Sequence, residues 1–82
     1  MTLAATEESV TAFLAGFFKV PPARLRPETE LDELGLDSLA AVELVFEIEE
    51  KFGVSISNER AAGLRSVRAI AEGVRALQEG RA

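Results

Sequence analysis

The residue on which chemistry could centre is Ser38. It stands in the run Leu34-Gly35-Leu36-Asp37-Ser38-Leu39, a hydroxyl with a carboxylate directly before it and a glycine three residues back. The 82 residues contain no cysteine and no histidine, so the chain is poor in nucleophiles. Disulfides, thiolate zinc sites and a cysteine nucleophile are thereby excluded. The usual general base and the commonest metal ligand are missing too, and a Ser-His-Asp triad is impossible. The local residues by themselves favour a plain reading, in which Ser38 or Asp37 caps a helix through its side-chain oxygen. Calcium is a second candidate, because Glu30, Asp32 and Gly35 fall at positions one, three and six of an EF-hand loop. That assignment fails, since it places Leu34 at position five and Ala41 at position twelve, where a bidentate glutamate belongs.

Charge narrows the partners. Between Glu28 and Glu50 there are nine acids (Glu28, Glu30, Asp32, Glu33, Asp37, Glu43, Glu47, Glu49, Glu50) and no base. The rest of the chain carries five acids and nine bases, for a net charge of −5. Scattered surface acids usually do no more than solubilise. A one-sided block in the middle of a tiny domain creates a strong local field, which favours docking to a basic partner and disfavours nucleic acid. The apolar stretch from Ala12 to Phe18 falls far short of the ~20 residues a membrane span needs, and Met1-Thr2-Leu3 has no signal-peptide character. At 48% hydrophobic residues the chain can bury a core, and at this length only one. These features point to a soluble, cytoplasmic, monomeric protein forming a single domain over residues 1–82.

The elements that must position Ser38 are helical. Val10, Phe13, Leu14 and Phe17 have the i, i+3, i+4, i+7 spacing of an amphipathic helix, which Thr6 or, alternatively, Thr2 starts and Val20-Pro21-Pro22 stops. With Thr6 as the start, Glu7 and Glu8 occupy the first turn. A long connection to Asp37 has no clear period, but Leu25, Leu31, Leu34 and Leu36 predict that it packs over the core. A connection of that length in a compact domain is usually functional. A second helix spans Ser38 to Phe52, with Gly53 as its C′ residue. Val54 and Ile56 are too few for a strand, and Asn58 to Gly63 fits one short helical turn. Ser66 caps a last helix with Val67, Ile70, Ala71, Val74 and Leu77 on one face and Gly80 behind it. The expected fold is all-α, a four-helix bundle of three main helices and one short one with a long first loop.

The second helix carries more apolar surface than a core needs. At about 100° per residue from Ser38, one arc holds Ala41, Leu44, Val45, Ile48 and Phe52, which face the bundle. A second holds Leu39, Val42 and Phe46, rimmed by Glu43, Glu49 and Glu50, with Glu47 just beyond. Either the long first loop covers this second stripe, or it is a partner-binding face with apolar contacts at its centre and charge for steering.

Taken together, Gly35-Leu36-Asp37-Ser38-Leu39, the following Val42-Glu43-Leu44, the acidic run to Phe52 and Val54 to Asn58 resemble the acyl carrier protein family, whose pattern around its modified serine is Gly-x-Asp-Ser-Leu. The resemblance covers about Val10 to Leu77. It implies a non-enzymatic carrier of acyl thioesters on a 4′-phosphopantetheine arm, attached through a phosphodiester to Ser38, with Asp37 and Leu39 as flanking motif. A chain without cysteine must borrow its thiol, and a hydroxyl at a helix start, where the dipole tolerates an anion, suits the attachment. Leu36 and Leu39-Ala40-Ala41 are closer to polyketide-synthase carriers than to fatty-acid ones. The implied partners are a phosphopantetheinyl transferase and ketosynthase, acyltransferase or acyl-ligase type enzymes with basic docking surfaces. They would contact Leu39, Val42, Glu43, Phe46 and Glu47. The opening Met1 and the lack of a linker suit a freestanding carrier. Two alternatives stand beside this reading: a peptidyl or aminoacyl carrier, and an unmodified acidic helical interaction module.

Overall fold

The computed structural model describes residues 3–80, with side chains from Thr6 onward. It is built from four helices, α1 (Leu3–Phe18), α2 (Ser38–Phe52), α3 (Asn58–Ala62) and α4 (Val67–Gln78), with two 3₁₀ turns, Pro22–Arg24 and Leu31–Leu34, in the first connection. Among the described residues there is no strand, and the sole β feature is an isolated bridge between Glu30 and Ser66. No helix among them is long and apolar enough to cross a membrane.

The start of α1 departs from expectation. Thr6 is not a cap. It lies fully buried inside a helix that begins at Leu3, so Glu7 and Glu8 fall beyond the first turn. The alternative start, Thr2, lies outside the described residues. The helical pattern extends upstream as readily as down, and full burial leaves Thr6 no role as the capping residue. The helix closes with Val20 N–H donating to the Ala15 carbonyl at 3.0 Å, a Schellman closure that sets Lys19 at φ 58°.

The core is a single cluster that draws on every long element. Val10, Leu14 and Ala15 come from α1, Leu44 and Ile48 from α2, and Val67, Ile70, Ala71 and Val74 from α4. The first connection contributes Leu25 and Leu31, with Leu34 and Leu36 packed against the cluster, as their composition predicts. It is also stitched to the start of α4: Leu31 N–H donates to the Arg65 carbonyl, Val67 N–H to Thr29 and Arg68 N–H to Pro27, at 2.8–3.1 Å. That long loop is thereby a fixed strap that delivers Asp37 and Ser38 to one end of the bundle. The helix α4 opens as expected, with Ser66 Oγ accepting from Ala69 N–H at 3.1 Å. The short helix α3 contributes no buried residue. Its flanks hold it, Ile56 on one side and Leu64 on the other, both packed against the core cluster.

Candidate functional site: the start and outer face of α2

The site begins in the strap. In the 3₁₀ turn Leu31–Leu34 the Glu30 backbone carbonyl accepts from the Glu33 N–H at 3.0 Å, and Glu33 Oε2 reaches back to accept from the Glu30 N–H at 3.1 Å. It ends on Gly35 at φ 86°, the left-handed region that disfavours side chains with a Cβ. A Cβ on Gly35 would meet nothing within 4 Å, so the backbone angle is what asks for glycine there, and the space above it is open. Two residues on, Asp37 is the N-cap of α2: its Oδ1 accepts from the Ala40 N–H at 2.7 Å. Asp37 therefore occupies the capping role. Ser38, the first residue of the helix, is exposed, and no hydrogen bond of its hydroxyl is present among the described residues. Of the two capping readings, the structure assigns the cap to the aspartate.

The outer face of α2 answers the question of the second stripe. Leu39, Val42 and Phe46 are 70%, 62% and 65% exposed, and the strap does not cover them. Glu43 and Glu47 stand exposed beside them. The inner face is narrower than the arc of five residues suggested. Leu44 and Ile48 are buried at 3% and 0%, and Phe52 is half-buried, edge-on to the Phe13 ring at 6.1 Å. Ala41 and Val45 face neither core nor bulk water. They line a cleft of about 480 Å³ between α2 and α3, together with Val42, Phe46, Glu49, Ile56, Asn58, Ala61 and Ala62. The cleft opens beside the helix that begins with Ser38, and its walls are mostly apolar.

Glu49 also corrects the sequence reading. The sequence pattern groups it with the rim acids, yet it is half-buried in the cleft wall, and its Oε2 accepts from the Ile56 N–H at 2.7 Å. A signal existed: on the helical wheel Glu49 lies at about 20°, next to Val45 and between the two apolar arcs. A side chain there meets whatever the chain places after Gly53. Among the described residues no three Asp or Glu side chains are grouped closely enough to hold a metal ion.

The exposed serine fits a covalently attached group. It has an unengaged hydroxyl, open space before it, and the N-terminal end of a 15-residue helix to receive an anion. Comparison with known proteins agrees. Residues 8–74 match the family described as the phosphopantetheine attachment site. The chain is similar to the meromycolate extension acyl carrier protein of Mycolicibacterium smegmatis, at 37% identity over 94% of this chain and 83% of that one. It is similar also to the acyl carrier protein of Helicobacter pylori, at 43% identity over 73% of this chain and 78% of that one. A chloroplastic acyl carrier protein of Spinacia oleracea is 39% identical over 70% of this chain and 44% of its own. Proteins of this kind carry acyl groups as thioesters on covalent 4′-phosphopantetheine, in fatty-acid- and polyketide-type synthesis, and catalyse nothing themselves. They work through a phosphopantetheinyl transferase and the biosynthetic enzymes that use the carrier. With its helical fold, its exposed serine and these relatives, the chain belongs to the acyl carrier protein family.

Proposed function

We propose that Ser38 is the residue that holds the phosphopantetheine arm, and that residues 1–82 form one carrier domain around it. The observation that carries this reading is the division of labour at the start of α2. Asp37 supplies the cap, so the neighbouring hydroxyl is exposed and has no structural task. The group's thiol supplies the thioester chemistry that this cysteine-free chain lacks. The residues of the chain would orient it. Backbone N–H groups in the first turn of α2 would be available to the phosphodiester's negative charge, and Asp37 would keep that turn formed.

Leu39, Val42 and Phe46 form the apolar centre of the docking face, and Glu43 and Glu47 draw in the Lys and Arg of the enzymes that load and use the carrier. This arrangement rests on exposure and charge: large apolar side chains in water next to carboxylates with no neutralising base suit a partner with a basic rim around an apolar patch. The cargo we infer is a fatty-acyl-type chain. Support comes from the apolar cleft beside α2 and from relatives named for meromycolate extension, although Leu36 and Leu39-Ala40-Ala41 lean toward polyketide carriers.

The test is modification in vitro. Incubation of the apo protein with coenzyme A, Mg²⁺ and a broad-specificity phosphopantetheinyl transferase is expected to add one arm, and Ser38→Ala to abolish it without loss of fold. Modification that persists in Ser38→Ala, or that maps to Ser9, Ser55, Ser57 or Ser66, would overturn the assignment.

A further inference from the structure

The α2–α3 cleft has an asymmetric construction. Its α2 wall, Ala41, Val42 and Val45, belongs to a long helix anchored by Leu44 and Ile48. Its other wall is α3, five residues long with nothing buried, presenting Ala61 and Ala62. The chain reaches α3 through Gly53 at φ 66° and leaves it at Gly63. Hydrogen bonds within residues 57–64 are local to the helix and its caps: Ser57 Oγ accepts from the Arg60 N–H, and Leu64 N–H donates to the Ala61 carbonyl. Among the described residues, one hydrogen bond ties residues 55–62 to another helix. It runs from the Ile56 N–H to Glu49 Oε2, is 2.7 Å long and is half-buried. Glu49 serves this junction twice, because its backbone carbonyl also accepts from the N–H groups of Gly53 and Val54 at 2.9 and 3.2 Å.

We propose that Glu49 is a latch: its carboxylate fixes Ile56, Ile56 fixes the near end of α3, and the position of α3 sets how readily an apolar chain enters the cleft. Glu49 is a positioning residue that acts through α3 and not through attachment. The inference rests on the carrier reading for its biological meaning, since the chain to be admitted is the acyl cargo. A carboxylate is suited to the task. A charge-assisted bond to one backbone N–H is short and directional, and at the edge of an apolar cleft it is less well replaced by water than on an open surface. Glu43, Glu47 and Glu50, exposed on the same helix, have no such partner among the described residues.

The experiment uses the apo protein and four variants: Glu49→Ala, Glu49→Asp, Glu49→Gln and, as a control, Glu50→Ala. The first readout is amide hydrogen exchange at Ile56 and across Asn58–Ala62. The second is binding of the neutral apolar probe N-phenyl-1-naphthylamine, followed by its fluorescence and by NMR shifts at Val45, Ala61 and Ala62. Loss of one hydrogen bond to a charged acceptor is expected to speed exchange in Glu49→Ala by about tenfold. Probe uptake should rise with it. Glu49→Asp keeps the charge but falls one methylene short, so it should behave as Glu49→Ala does. Glu49→Gln still offers an oxygen but not the charge and should fall between the parent and Glu49→Ala, and Glu50→Ala should match the parent. Unchanged exchange in both Glu49→Ala and Glu49→Asp overturns the latch. Faster exchange with unchanged probe binding overturns its control of the cleft. Neither readout uses the arm, so a failure to modify Ser38 would count against the attachment reading alone.

Discussion

At the scale of single residues, the structure separates tasks that neighbouring side chains could have shared. Asp37 caps α2, and Ser38 beside it is left exposed. Asp37→Ala is therefore expected to destabilise the domain by about 1 kcal/mol, the usual worth of an N-cap, and Ser38→Ala by far less. Lys19 offers the opposite change. It closes α1 at φ 58°, a conformation that costs a residue with a Cβ roughly 1–2 kcal/mol, so Lys19→Gly should stabilise, by somewhat less than that once glycine's extra unfolded-state freedom is counted. Urea unfolding of the three variants beside the parent measures all of these shifts. The run from Gly35 to Leu39 pointed to an attachment site only through its resemblance to acyl carrier proteins, because the local residues alone favour a plain helix cap. Which of Asp37 and Ser38 caps was not legible, since both types are good caps and the answer lies in one hydrogen bond of 2.7 Å. Glu49 was misread for a related reason: the wheel gives a direction, and what lies in that direction depends on how the chain after Gly53 folds back.

At the scale of the elements, α2 has three faces with three duties. Leu44 and Ile48 hold it to the bundle, Ala41 and Val45 line the cleft, and Leu39, Val42 and Phe46 meet water, with Val42 and Phe46 at the rim the cleft shares with that outer face. Truncating Ile48 or Leu44 to Ala should cost ~2–5 kcal/mol, because a buried side chain leaves a cavity. Leu39→Ala and Phe46→Ala remove exposed groups, and their melting temperatures should stay near that of the parent while the rate of Ser38 modification falls. Glu43→Lys and Glu47→Lys should slow association in particular, and the defect should shrink as salt is raised. Unfolding of Leu39→Ala as readily as Ile48→Ala would return the outer stripe to the core. The boundaries of α2 and α4 followed from sequence because their ends carry punctuation, Asp37 and Gly53 for one and Ser66 for the other. The start of α1 did not, since no chemical signal distinguishes Thr6 as a cap from Thr6 as a buried residue of the helix. The two 3₁₀ turns were also missed, because runs of three or four residues leave no period to detect.

At the scale of the molecule, charge is divided unevenly and the fold does little to offset it. Of the arginines that could reach over the acidic block, Arg65 approaches Asp32 at 3.9 Å on an exposed surface, while Arg24, Arg26 and Arg60 make no ion pair with the block among the described residues. An exposed pair of that kind contributes about 0–1 kcal/mol. Nine carboxylates are left to repel one another, and a domain of this size has little stability in reserve. The melting temperature should rise between low and moderate salt, as screening shortens the reach of the repulsion to about 8 Å near physiological ionic strength. A flat or falling curve would mean that the arginines already neutralise the block. The same imbalance is what a basic partner would sense at a distance. The claim on which the whole account depends is that the hydroxyl of Ser38 bears the arm. The most direct measurement is intact-mass and fragment-mass analysis of the protein isolated from its native host. The account predicts one added phosphopantetheine, with or without an acyl group in thioester linkage, on a fragment that contains Ser38 and no other serine. An unmodified chain in all preparations, or an arm on any other residue, would contradict it.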